Sequence, residues 1–158
     1  MLFFKRQIDI YSKKRGIAGR LSNFTRRSFF FDGIECRSIE GVLQSFKFEN
    51  VAEQRILCGL WGIQAKLSGE LRDWKQTQVL FWNGDPYPRE SEAYQQLIDR
   101  LYLAVFEQDE SFRKDISKLG KRTLTHSVGL TDPKNTILTK AEFLERLKML
   151  YSLISNRK

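Results

Sequence analysis

Leu21–Phe24 (LSNF) and the run Ser38–Phe48 (SIEGVLQSFKF) carry the most information in this chain. Ser38 has the chemistry of a helix N-cap. A helix opening behind it puts Glu40 in the first turn, where the positive end of the helix dipole favours an ionised carboxylate at neutral pH. At about 100° per residue, Glu40, Gln44 and Lys47 fall within roughly 60° of one another, beside an apolar stripe of Ile39, Val42, Leu43 and Phe46. One acid, one amide and one amine therefore share a face. Such a face can simply meet solvent, with Glu40 and Lys47 loosely paired. If it lines a cavity, Glu40 is the candidate catalytic group.

Working outward, Ser28–Phe31, Asp32-Gly33 and Ile34–Arg37 spell a two-residue β-hairpin, because Asp-Gly tolerates positive φ at both turn positions. Ile8–Tyr11 alternates weakly and is expected to form a short strand. Between them lies the basic segment Lys13–Arg20 (KKRGIAGR), whose Gly16 and Gly19 suit a surface loop or a close backbone approach to an anion.

Downstream the helical period dominates. Asn50 with Glu53 resembles a capping box opening Val51–Cys58, with a break at Gly59 and Gly62 before Ile63–Leu67. Leu71–Trp82 follows as a further segment of this helical region, stopped by Asn83-Gly84 and the loop Asp85–Pro88. Ser91 caps the clearest helix, with Tyr94, Leu97, Ile98, Leu101, Tyr102 and Val105 as its core stripe. Asp109 caps a helix over Glu110–Leu119, Thr123–Val128 is a candidate returning strand, and Thr139 with Glu142 opens a final amphipathic helix. The loop Gly129–Leu138 lies between those two elements. The expected architecture is α+β and predominantly α-helical: a single compact domain over residues 1–158, with a small N-terminal β-hairpin or sheet and about five to seven helices.

Composition narrows the function. The 158 residues are 41% hydrophobic and 13% aromatic, enough for a real core. No apolar run approaches the roughly 20 residues a bilayer requires, and Met1–Arg6 (MLFFKR) has no signal-peptide layout, so a cytoplasmic location without a membrane partner is expected. Cys36 and Cys58, with His126 as the only histidine, lack zinc-site spacing; buried reduced thiols are the simpler reading, and neither metal nor cofactor is expected. A formal charge of +8 favours anionic partners, phosphates or nucleic acid.

The order of motifs IYS (Ile10–Ser12), GRLSNF (Gly19–Phe24), the DG hairpin, SIEGVLQSFKF, DWKQTQV (Asp73–Val79) and LYLAVFEQDESFRKDI (Leu101–Ile116) resembles the NADAR, or YbiA-like, superfamily over most of the chain. The most specific parts are the SNF triplet and the glutamate followed by Q-x-x-K-F, here Glu40, Gln44, Lys47 and Phe48. The resemblance implies a mainly helical domain with a small sheet, and an N-glycosidase or ADP-ribosyl glycohydrolase acting on riboflavin-pathway intermediates or on ADP-ribosylated guanine in nucleic acid. It assigns the essential acid to Glu40 and a substrate pocket to Asn23, Phe24, Gln44, Lys47 and Trp74. Many members also carry an acidic residue and a Trp-Gly pair before the last helix. Leu124–Pro133 (LTHSVGLTDP) has no tryptophan here, and Asp132 and His126 are the two alternatives for the acid.

Cleaving a ribosyl C–N bond builds positive charge on the sugar, so an ionised Glu40 suits the role of base or oxocarbenium stabiliser. Lys47 first and Arg20 second are the candidates for phosphate, and Phe24 or Trp74 for stacking on the base. The expected ligand is a ribosyl phosphate or an ADP-ribose-type molecule, free or attached to DNA or RNA. Two other classes compete: a sensor that binds ADP-ribose or a related nucleotide without cleaving it, and a nucleic-acid-binding module using Lys13–Arg20.

Overall fold

The computed structural model describes residues 6–156; the first five residues of the stretch read as lacking a signal-peptide layout lie outside them. In chain order the elements are β1 (Gln7–Asp9), α1 (Ile17–Arg20), β2 (Phe29–Phe31), β3 (Ile34–Cys36), α2 (Ile39–Ser45), α3 (Val51–Cys58), α4 (Gly62–Gly69), β4 (Val79–Trp82), β5 (Asp85–Pro88), α5 (Glu92–Gln108), α6 (Glu110–Ser117), β6 (Thr123–Thr125) and α7 (Lys140–Ser155). The fold is a compact α+β domain dominated by helices. Among the described residues the strands form three separate two-stranded sheets: parallel β1–β6 and the antiparallel hairpins β2–β3 and β4–β5.

The caps follow the sequence signals. Ser38, Asn50, Ser91, Asp109 and Thr139 each accept a backbone N–H in the first turn of their helices, and Thr139 with Glu142 forms the full capping box. Asn50 makes only its own half of such a box, because the Glu53 carboxylate pairs instead with Arg72 at 2.9 Å. Asp32 and Gly33 take φ of 47° and 78°, the double left-handed turn that the hairpin requires.

Four expectations need correcting. Asn83 and Gly84 also take positive φ, 50° and 94°, and close a second hairpin, so the end of Leu71–Trp82 is strand β4 and not helix. Pro86 and Pro88 are accommodated because β5 pairs on one side only. The basic segment is not wholly loop: Ile17–Arg20 forms one helical turn, and a β-carbon at Gly19 would lie 2.0 Å from the Lys14 carbonyl oxygen. The first strand begins and ends earlier than Ile8–Tyr11, and the returning strand stops at Thr125. Finally, α2 ends at Ser45, two residues short of Lys47.

The core gathers on α5. Tyr94, Leu97, Ile98, Leu101, Tyr102 and Val105 are buried to within about 1%. Phe31 stacks on Trp82 with centroids 5.0 Å apart, and Phe46 meets the edges of Trp82 and Tyr94 at 5.6 and 6.1 Å, which joins the two hairpins and α2 to α5. Fully buried Gln54 stitches the same region: its amide donates to the carbonyls of Ser45 and Phe81 and accepts from Asn83 N–H. Cys36 and Cys58 are buried free thiols.

Candidate active site

Helix α2 packs against α3 and α4, and small residues permit the approach. A β-carbon at Gly41 would sit 2.6 and 2.7 Å from the carbonyl oxygens of Leu57 and Leu60; one at Gly69 would lie 1.8 Å from Gln44 Oε1. Ser38 Oγ accepts from Gly41 N–H and donates to Leu60 C=O, both at 2.8 Å, so the cap of α2 is tied to the turn before α4. The SNF segment is fastened across the same corner. Asn23 C=O accepts from Glu40 N–H at 3.0 Å, and Phe24 C=O accepts from Gly62 N–H at 3.0 Å.

Within this corner Glu40 is half-buried, and Gln44 Nε2 donates to its Oε1 at 2.8 Å. Burial of the carboxyl pushes its pKa above the ordinary 4.5; the Gln44 hydrogen bond and the charges of Lys47 and Lys66 pull the other way without cancelling it. The first-turn position thus does not leave this carboxyl at its ordinary acidity, because burial is the dominant influence on it. Lys47 is half-buried, and burial lowers its pKa, opposed by Glu40 and Glu70 and reinforced by Lys75 and Lys66. Acid and amine are both drawn toward their neutral forms. Lys47 reaches the site from the turn after α2, where Lys47 N–H donates to Gln44 C=O at 3.2 Å and Phe48 N–H to Ser45 C=O at 3.0 Å; this tighter turn keeps it beside Glu40 although the helix has ended.

Asn23 is fixed at both ends of the residue. Its backbone carbonyl holds Glu40, and its side-chain Oδ1 accepts from the hydroxyl of fully buried Tyr102 at 2.7 Å. The loop carrying it winds round another buried group: Arg27 pairs with Asp109 at 3.2 Å, donates to Arg20 C=O and lies 4.6 Å over the Phe112 ring. Phe24 is half-buried beside this loop.

The structure thus brings together Glu40, Asn23, Gln44 and Lys47, with Phe24 joined to the same corner through its backbone carbonyl, and leaves four other expected residues elsewhere. Arg20 forms a two-pronged ion pair with Asp115, both contacts at 2.9 Å, which ties its guanidinium to α6 while the side chain stays about half exposed, at 49%. Trp74 is 4% exposed and belongs to the core, so its ring face is packed against protein instead of being offered to a base. Asp132 uses its carboxylate within its own loop, accepting from Lys134 N–H at 2.9 Å and Asn135 Nδ2 at 3.2 Å; none of its bonds reaches Glu40. His126 contacts Ile10 C=O through Nδ1 at 2.7 Å and meets Phe143 edge-on at 4.8 Å, which anchors β6 to α7. Gln78 bridges the DWKQTQ segment to that last loop, donating to Lys75 C=O at 2.9 Å and Lys134 C=O at 3.0 Å.

Sequence reasoning passed over two members of the site. Tyr102 had the signature of a core stripe, and Lys66 sits on a helix with no motif around it; only the fold puts their charges or bonds at Glu40 and Asn23. Two surface clefts, of about 230 and about 410 Å³, lie apart from Glu40. One involves Phe106, Arg113 and Leu153, the other Arg89, Gln95, Pro133 and Glu142. Among the described residues, no group of three His, Cys, Asp or Glu could hold a metal ion, and no helix is long and apolar enough to cross a membrane.

Residues 15–152 match the family described as Bacteriophage protein GP30.3. An uncharacterized 17.1 kDa protein from the Gp30-rIII intergenic region of Enterobacteria phage T4 is 37% identical over 149 residues, covering 91% of this chain and 96% of that protein. The NMR structure of the Escherichia coli protein YbiA superposes with a TM-score of 0.66 over 99% of this chain and 89% of that one, at 17% identity, a likeness of fold.

Proposed function

This chain belongs to the bacteriophage protein GP30.3 family and has the fold of YbiA, as its motifs led one to expect, and from that premise we propose that it is an N-glycosidase. Its reaction is hydrolysis of the C–N bond joining ribose, in a ribose phosphate or ADP-ribose-type substrate, to a base or amine. The observation that carries the proposal is the half-buried Glu40 carboxylate, held by Gln44 Nε2 at 2.8 Å beside Asn23 and within the fields of Lys47 and Lys66.

In this reading the ionised carboxylate faces C1′. As the C–N bond lengthens, positive charge grows on the sugar ring, and a preorganised anion in a partly dry site stabilises it more than water would. The same oxygens orient and deprotonate the attacking water. Gln44 fixes the carboxylate, and Lys47, assisted by Lys66, supplies charge for the phosphate. Phe24, half-buried beside the loop, is the surface left for the base once Trp74 is in the core. The raised pKa sets a pH signature: kcat/KM falls as acid protonates Glu40, and that limb lies above the ordinary 4.5.

A hydrolysis screen tests this, with NAD, ADP-ribose, ribosylamino-pyrimidine phosphates and ADP-ribosylated guanine oligonucleotides as substrates. The wild type should release free base or amine from at least one of them, and Glu40→Gln should lower turnover by about 10²–10⁴-fold with the fold intact. A fully active Glu40→Gln protein ends the proposal. Ligand bound and recovered undegraded would mark a sensor instead. Steeply salt-dependent oligonucleotide binding without turnover would mark a nucleic-acid module, for which the +8 charge is the motive.

A further inference from the structure

Tyr102 is the largest polar-tipped side chain next to the site that the proposed reaction leaves unused. It is fully buried on α5, in a stripe otherwise made of aliphatic and aromatic core residues. Its hydroxyl donates to Asn23 Oδ1 at 2.7 Å, across 79 residues of sequence. A phenylalanine would fill the same core volume, so the hydroxyl needs a reason.

The reason lies in the asymmetry of an amide. Asn23 Oδ1 is an acceptor and Nδ2 carries two donors, and the two ends are nearly equal in size. By donating to Oδ1, Tyr102 fixes which end faces the core; Nδ2 is left on the other side, in a residue that is half-buried and therefore reachable. The backbone of Asn23 meanwhile accepts from Glu40 N–H at 3.0 Å, which ties the residue carrying this amide to the start of the helix that bears the carboxylate. The opposite amide orientation would leave a buried hydroxyl proton without an acceptor. The hydroxyl also stays protonated: burial pushes its pKa up, and the charge of Glu40 pushes it further, against the Asn23 hydrogen bond.

We propose that Tyr102 is a positioning residue that locks the Asn23 amide so that its Nδ2 donates to an acceptor oxygen of the bound ribose beside Glu40. This rests on the N-glycosidase reading and deepens it, because it assigns recognition of the sugar, in contrast to the base or phosphate, to the tyrosine–asparagine pair. Phosphate contacts at Lys47 are separate from it.

The test is a double-mutant cycle on ligand affinity in the full chain, using ADP-ribose and ribose 5-phosphate as probes in titration calorimetry. Tyr102→Phe should weaken binding of the better probe about tenfold, which is one good hydrogen bond, and Asn23→Ala by at least as much. The double variant should bind no more weakly than Asn23→Ala alone, because the hydroxyl acts only through the amide. A hydroxyl with a merely structural role gives losses that multiply, and one with no role gives Tyr102→Phe wild-type affinity; either result overturns the inference. Asn23→Asp guards against a folding artefact, since it keeps the acceptor for Tyr102 and removes both donors. It should fold and bind weakly, and wild-type affinity in it also overturns the inference. Failure of the parent reading looks different: a wild type that binds neither probe and cleaves nothing removes both, whereas Glu40-dependent turnover with no coupling between Tyr102 and Asn23 removes only this one.

Discussion

Two glutamates occupy the same sequence context and behave in opposite ways. Glu40 and Glu142 each lie in the first turn of a helix, behind a hydroxyl cap, Ser38 in one case and Thr139 in the other. Burial raises both pKa values. At Glu142 the raise is outweighed: Arg89 contacts both oxygens, at 3.1 and 2.5 Å, and Gln95 Nε2 and Thr139 N–H donate as well, so the group ends below its ordinary 4.5. At Glu40 one amide donates, the lysines act through their charge, and burial prevails. The difference teaches that the helix dipole, worth about 0.3–1 kcal/mol, does not set the state of a first-turn carboxylate. The number of donors in direct contact does. One glutamate is saturated and holds the fold; the other has a single side-chain donor, which fits the catalytic role proposed for it.

The sharpest way to break the comparison is at Glu142. Arg89 is 1% exposed, bonds Thr136 C=O at 2.8 Å and lies over the Tyr94 ring, so removing its counter-charge strands a cation in the core. Glu142→Ala should cost about 3–5 kcal/mol in urea unfolding, and Arg89→Met a similar amount. The pH sense follows from the lowered pKa: the contribution of Glu142 is present above 4.5 and is lost as pH falls through the lower folded value. A cost under about 1 kcal/mol would mean that the pair is no anchor and that donor count has been given too much weight.

A smaller effect is expected at Gly69. Adding a methyl there places a carbon 1.8 Å from Gln44 Oε1 and 2.6 Å from its Cδ, and Gln44 must swing off Glu40. Gly69→Ala should destabilise by about 1–3 kcal/mol through overpacking. Because the Gln44 hydrogen bond lowers the Glu40 pKa, losing it moves the acid limb of kcat/KM further up. An unchanged limb in a destabilised protein would separate packing at this contact from the electrostatics of Glu40.

What could be read in advance divides along the range of the interactions. Caps and turns are local, so Ser38, Ser91, Asp109 and Thr139 announced their helices, and Asp32-Gly33 announced its hairpin. Asn83-Gly84 carries the same chemistry and was legible too. It was overridden by a helical reading of Leu71–Trp82, although the four residues Val79–Trp82 are too few to support a period and both prolines that follow are tolerated in a one-sided strand. Glu40, Gln44 and Lys47 were found by spacing, because residues a turn apart meet whether the turn is α-helical or tighter. The surroundings of Arg20 and Trp74 were not legible because what decides them is distant: Asp115 lies 95 residues from Arg20, and the core that takes Trp74 is assembled from both halves of the chain. Tyr102 was hidden for the same reason, 79 residues from the amide it holds.

The last and smallest expected effect tests Glu40 through stability, independently of any substrate. A carboxyl whose folded pKa is raised is easier to bury neutral than charged. Its favourable state is complete below the unfolded value of 4.5, and the fold loses stability as pH climbs from there through the higher folded pKa, after which the loss is constant. Glutamine cannot ionise and still offers Gln44 an acceptor. Glu40→Gln should therefore match the wild type in stability at low pH and exceed it near neutrality, by less than either loss described above. The gain should open within the window just above 4.5 and then level off. Equal stability at all pH values would mean that the carboxylate is as well solvated as a surface acid, and the contrast with Glu142 would vanish. A variant less stable at pH 7 would mean that Lys47 and Lys66 need this anion more than burial opposes it, and Glu40 would join Glu142 as a structural charge.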